Sequence, residues 1–157
     1  MKQRIGVFAA LVFVLASGTL LLAQSNLFVG TWKFNVANSK YDPDAPPQSQ
    51  TRKWDASGIN TVEGIAATGK PMSYSYPIKG DGKEYPITGV VPNAGDKISS
   101  KRIDANTFEA NFTKAGKHVE TATFVVSQDG KTLTITAKGI LPTTGGPFTH
   151  VLVYDKQ

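Results

Sequence analysis

The chain of 157 residues holds two histidines and no cysteine, so any acid-base or metal chemistry has to start from His118 and His150. His118 and Glu120 stand two apart in a strand-like run, a spacing that puts both on one face and suits two metal ligands. No third ligand is marked, and a solvated polar face explains the pair as well. His150 alternates with Phe148, Leu152 and Tyr154, as a hydrogen-bonded core histidine would; if that face lines a cavity, His150 could orient a ligand's polar head. Asp42 and Asp44 flank Pro43 and lack the oxygen-rich spacing of a calcium loop. No serine sits in a nucleophile elbow, no Gly-rich loop precedes a helix, and thiol chemistry is excluded. The sequence therefore assigns no catalytic residue, no metal and no cofactor.

One group of rings remains. Tyr74, Tyr76 and Tyr85, with Met72, could line a cavity suited to a partly apolar molecule, or simply fill a small barrel.

The elements that must position these side chains are almost all strands. Turn signals at near-regular spacing separate segments 50–56, 59–66, 72–78, 84–88, 97–103, 107–113, 118–126, 133–137 and 148–154. Phe108, Ala110 and Phe112 alternate with Glu109 and Asn111, and Leu133, Ile135 and Ala137 with threonines, each marking one buried face. Asp129-Gly130 is the strongest hairpin signal and suggests a type I′ turn. Residues 35–49 carry three prolines and read as a long loop, with a helical turn near 36–40, that crosses or caps one end. About eight to ten strands with no convincing helix beyond the leader favour an antiparallel up-and-down meander, and closure hides its two edges.

Lys2 and Arg4 precede an apolar run from Ile5 to Leu22 and a small residue, Ala23, the pattern of a secretory signal peptide. Residues 1–23 are read as that leader and 24–157 as one barrel domain. This places the domain outside the cytoplasm, periplasmic or secreted, with an uncleaved membrane anchor as the alternative. Net charge is modest once the leader's two basic residues are set aside, and no aromatic residues interleave with Lys101-Arg102 or Lys114 and Lys117, so nucleic acid is not an expected partner. A monomer is expected.

Gly30-Thr31-Trp32, just ahead of the meander, resembles the Gly-x-Trp signature of lipocalins and the wider calycin barrels. The phrase Gly30-Thr31-Trp32-Lys33-Phe34-Asn35, with Ser39-Lys40-Tyr41, is similar to exported bacterial lipocalin-like proteins. The resemblance implies a barrel whose base is closed by Trp32, helped by Phe34, with a basic side chain near the last strand packed over the indole; Lys156 stands where arginine is commoner. The middle lipocalin motif, Thr-Asp-Tyr before a strand, has no counterpart.

Three functions stay open at this point. The first is binding of a small apolar or amphipathic molecule inside the barrel, with Tyr74, Tyr76, Phe108, Phe112 and His150 as wall residues and Gly30, Trp32 and Lys156 as barrel-closing ones. It requires an enclosed cavity of at least about 300 Å³. The second is a structural or interaction module of the cell envelope, which requires an exposed apolar patch and no cavity. The third is an enzyme on the same barrel, which requires a histidine beside a carboxylate in a cleft.

Overall fold

The computed structural model describes residues 26–90 and 95–157; the leader expected over residues 1–23 lies outside them. The described residues form twelve antiparallel strands and one short 3-10 turn. In chain order the strands are β1 (Gly30–Phe34), β2 (Lys40–Asp42), β3 (Ser49–Trp54), β4 (Ile59–Ile65), β5 (Pro71–Pro77) and β6 (Asp81–Pro86). They continue as β7 (Thr88–Val90), β8 (Lys97–Arg102), β9 (Thr107–Lys114), β10 (Lys117–Val126), β11 (Thr132–Ile140) and β12 (Pro147–Lys156). This is the expected all-β meander, a nearly closed lipocalin-like barrel.

The seam between the two ends of the meander is made by β12. It pairs with β1 in the register Trp32↔Lys156, Lys33↔Asp155 and Phe34↔Tyr154, while β1 pairs on its other side with β3. After β1 the chain leaves this edge for a 3-10 turn, Val36–Asn38, capped by the Asn35 side chain. It then returns as β2, pairing Tyr41 with His150. Prolines conceal β2 in the sequence, because a three-residue strand needs few ladder bonds and ends before Pro43.

Closure on the far side uses one bent segment. Its first part, β6, pairs with β8, and its second part, β7, pairs with β5. The bend falls at Ile87, whose N–H donates to the Asp96 carbonyl at 2.9 Å. Here Gly89 is required by space as well as by its φ of +98°, since a Cβ would stand 2.3 Å from the Ser73 carbonyl oxygen. The short β2 and this split account for the strands beyond the expected count.

Two local expectations are corrected. The type I′ geometry belongs to Ala115-Gly116, whose φ values are +48° and +75°, between paired Lys114 and Lys117. At Asp129-Gly130 only the glycine has positive φ, and its N–H bonds back to Ser127, a type I turn followed by a left-handed residue.

The lower core is aromatic. Phe28, Trp32, Trp54, Phe108 and Phe124 are all buried, with Phe28 4.7 Å from Trp54 and 4.9 Å from Phe108 between ring centroids. The Trp32 indole N–H donates to the Phe28 carbonyl at 2.8 Å, and the Lys156 ammonium lies 4.8 Å from the Trp32 ring centre while donating to the Leu27 carbonyl. Gly30 leaves room for that lysine; a Cβ there would meet Lys156 Cε at 2.8 Å. Phe34 is not part of this plug. It is half-buried against Tyr41 and Tyr154.

Candidate functional site: a polar cluster in the barrel cavity

Above the plug lies a cavity of about 530 Å³. Its mouth is ringed by Asp44, Ala45 and Pro47 from the loop after β2, by residues 66–68 and Lys70 between β4 and β5, and by Val90, Gly95 and Thr143. Its wall is mostly apolar, with Phe112, Ala122, Phe124, Ile135, Ala137 and Leu152 from β9 to β12. Period-2 alternation puts these on one face: β10 and β11 bury every second residue and turn threonines outward.

Among the wall residues expected from sequence, Tyr74, Tyr76, Phe112 and His150 line the cavity and Phe108 does not. Phe108 faces inward as its alternation requires, but at the height of Phe28 and Trp54, so it belongs to the plug. Tyr74 stacks on Tyr76 at 6.0 Å, and Phe112 meets Tyr76 edge-on at 5.7 Å.

The sequence reading missed the charged centre of the site. Arg52 lies on β3 between Gln50 and Trp54, and all three point inward while Thr51 and Lys53 face solvent. The signal was available, because a strand that buries Trp54 also turns the residues two and four positions earlier toward the core. Arg52 is 4% exposed. Its guanidinium donates to the Tyr76 hydroxyl at 2.6 Å and to the Tyr154 hydroxyl at 3.3 Å, and it lies 5.2 Å over the Tyr154 ring.

The Tyr154 hydroxyl in turn donates a hydrogen bond to Gln50 Oε1. Burial pushes the phenol pKa of Tyr154, Tyr76, Tyr74 and Tyr41 up, so all four stay protonated. No acceptor for the Tyr76 hydroxyl proton occurs among the described residues.

Two of the five Arg52 N–H donors are thus used, and Nε is buried with no partner. The ion pairs among the described residues, within 4.0 Å, are Lys97–Glu84 and His150–Asp44; Arg52 takes part in neither. Burial opposes the arginine's charge, but the phenol oxygens of Tyr154 and Tyr76 outweigh it and hold the pKa above its ordinary value.

Glu120 faces the same cavity. A bulge in the β9–β10 pairing between His118 and Glu120 shifts the alternation by one residue. Glu120 therefore turns inward with Ala122 and Phe124, whereas exposed His118 bonds Thr121 at 2.9 Å on the outer face. The expected shared face of His118 and Glu120 is overturned, and with it the metal pair. No group of three or more His, Asp or Glu suited to a metal occurs among the described residues. Burial pushes the Glu120 carboxyl up to about 7, with Arg52 opposing that rise only in part.

His150 sits nearer the mouth, 4% exposed. Its ring stacks on Tyr41 at 4.2 Å and lies 4.5 Å from Phe148. Nε2 has no hydrogen-bond partner and lies 3.8 Å from Asp44 Oδ2. Burial pushes the imidazole pKa down, against the pull of Asp44 and Asp42. The sequence pointed to the histidine; Asp44 joins it only because β2 anchors the proline loop beside β12.

Chemically the cavity is an apolar chamber with a fixed cation low in its wall, a carboxyl that titrates near neutrality, and an imidazole under its rim. No family model matches this chain, and no curated protein matches it. Among solved structures, zebrafish ileal bile acid-binding protein complexed with cholic acid aligns with a TM-score of 0.48 at 12% identity, over 83% of this chain and 99% of that one.

Proposed function

We propose that the barrel binds a small amphipathic anion as a monomer, with its acidic head on Arg52 and Tyr76 and its apolar tail along Phe112, Phe124, Ile135 and Leu152. The observation that carries this reading is Arg52 itself: a buried guanidinium with unused donors and no carboxylate in contact, facing an apolar chamber. A buried guanidinium with no carboxylate in contact, and with the nearby Glu120 carboxyl pushed up to about 7 by burial, is incompletely compensated, and an anionic head offsets that cost. The chamber also exceeds the volume that a small-molecule site needs. Among the described residues the exposed large apolar side chains are Val36, Val90, Ile103, Val125 and Ile140. Action outside the cytoplasm, after loss of residues 1–23, is part of the same proposal and rests on the leader's pattern.

Calorimetry with decanoate and decyl sulfate tests it. Arg52→Leu is expected to weaken both by about ten- to a hundredfold, the range for charge-assisted hydrogen bonds. Thermal stability should hold or rise, because a buried charge has been replaced by an apolar group. Absence of binding by the wild type, or equal binding by the variant, overturns the reading.

A further inference from the structure

We propose that the ligand carries, at the end remote from its acid, a hydroxyl group taken by His150 and Asp44; this rests on the acid-binding reading above and narrows it to a hydroxylated amphipathic acid.

The His150 ring is fixed from two sides by Tyr41 and Phe148, so the direction of Nε2 is set before any ligand arrives. That atom is buried and has no hydrogen-bond partner, and its residue lines the chamber. A buried polar atom left in this way is unfavourable until something bonds it. The Asp44 carboxylate stands 3.8 Å off, too far for a direct hydrogen bond but the right gap for one oxygen atom about 2.8 Å from each.

The chemistry of the two groups selects what fits between them. Asp44 only accepts, and the imidazole is neutral at pH 7 because burial lowers its pKa. With the ring proton on Nε2, the bridging group must accept from the histidine and donate to the aspartate. A hydroxyl does both. A carboxylate only accepts, and the methyl end of a plain chain does neither.

The two stations also lie apart on one wall: His150 and Tyr154, whose hydroxyl accepts from Arg52, are four residues apart on one face of β12, so their backbones are about 13 Å apart along the strand.

The test compares decanoic acid with 10-hydroxydecanoic acid by calorimetry in wild type, Asp44→Ala and His150→Phe. Asp44 lies in a partly exposed loop, so its variant keeps the barrel even if the histidine change disturbs it. The hydroxy acid is expected to bind the wild type about tenfold more tightly, and each variant should reduce that preference to less than about twofold. If the wild type binds both acids equally, the hydroxyl site is wrong and the acid-binding reading stands. A preference that survives Asp44→Ala also overturns it. If neither acid binds, both readings fall together.

Discussion

Arg52 and Glu120 face one cavity and form no ion pair with each other. Their charges lie close enough for the arginine to restrain the glutamate's pKa, yet burial still carries it to about 7. The cavity therefore gains a negative charge as pH rises through neutrality, while Arg52 remains positive throughout.

This has a definite sign. The folded pKa of Glu120 lies above its unfolded value of 4.5, so its favourable contribution is complete below pH 4.5 and is lost as pH rises to about 7. The loss amounts to at most about 3 kcal/mol. His150 acts the other way at acid pH, where its lowered pKa costs stability below 6.5. Urea denaturation across pH 4.5 to 8, comparing wild type with Glu120→Gln, isolates the glutamate. The difference between the two should grow with pH, leaving the variant the more stable at pH 8. Decyl sulfate, whose charge is fixed, should bind wild type more weakly at pH 8 than at pH 6 and the variant equally at both.

The base of the barrel depends on one indole more than on the cation above it. Trp32 is fully buried, and its loss removes both apolar area and the hydrogen bond to Phe28. Trp32→Ala should cost about 3–5 kcal/mol in chemical denaturation. Lys156→Ala should cost only about 0.5–1 kcal/mol, the scale of a partly exposed cation–π contact.

Closure at β7 rests on a residue without a side chain. Gly89→Val places a β-branched group against the Ser73 carbonyl at a φ it rarely adopts. The variant should lose about 1–3 kcal/mol, and hydrogen exchange should speed up in residues 73–75 and 88–90 while β10 to β12 stay protected. Uniform loss of protection would contradict a local latch.

Most of the architecture was legible because alternation is a local property. Phe108, Ala110 and Phe112 declare an inner face, as do Leu133, Ile135 and Ala137, and the pairing of β1 with β12 follows once an edge-free meander is assumed. Height along the barrel was not legible. It depends on strand tilt and stagger, which is why Phe108 and Phe112 share a face yet serve plug and chamber respectively. The bulge before Glu120 was hidden for a related reason, since it arises from the fit of β10 against β9 and not from the residues at positions 118–120 alone. Asp-Gly marks a turn in either of two geometries, and the hairpin length, which the sequence leaves loose, decides between them. Arg52 was readable and went unread, because a charged residue between Gln50 and Trp54 looks like solvent-facing decoration until the tryptophan's burial is taken as a constraint on its neighbours.

The clasp between Lys156 and Leu27 joins residues 129 positions apart. A contact so remote in sequence becomes favourable only after the intervening chain has been gathered in, so this molecule belongs to the slow class of folders. Until that happens it is an unsealed curved sheet with two bare margins, each a template for a neighbouring chain. Its yield on refolding should accordingly fall with protein concentration more steeply than the ruggedness of the finished cylinder suggests.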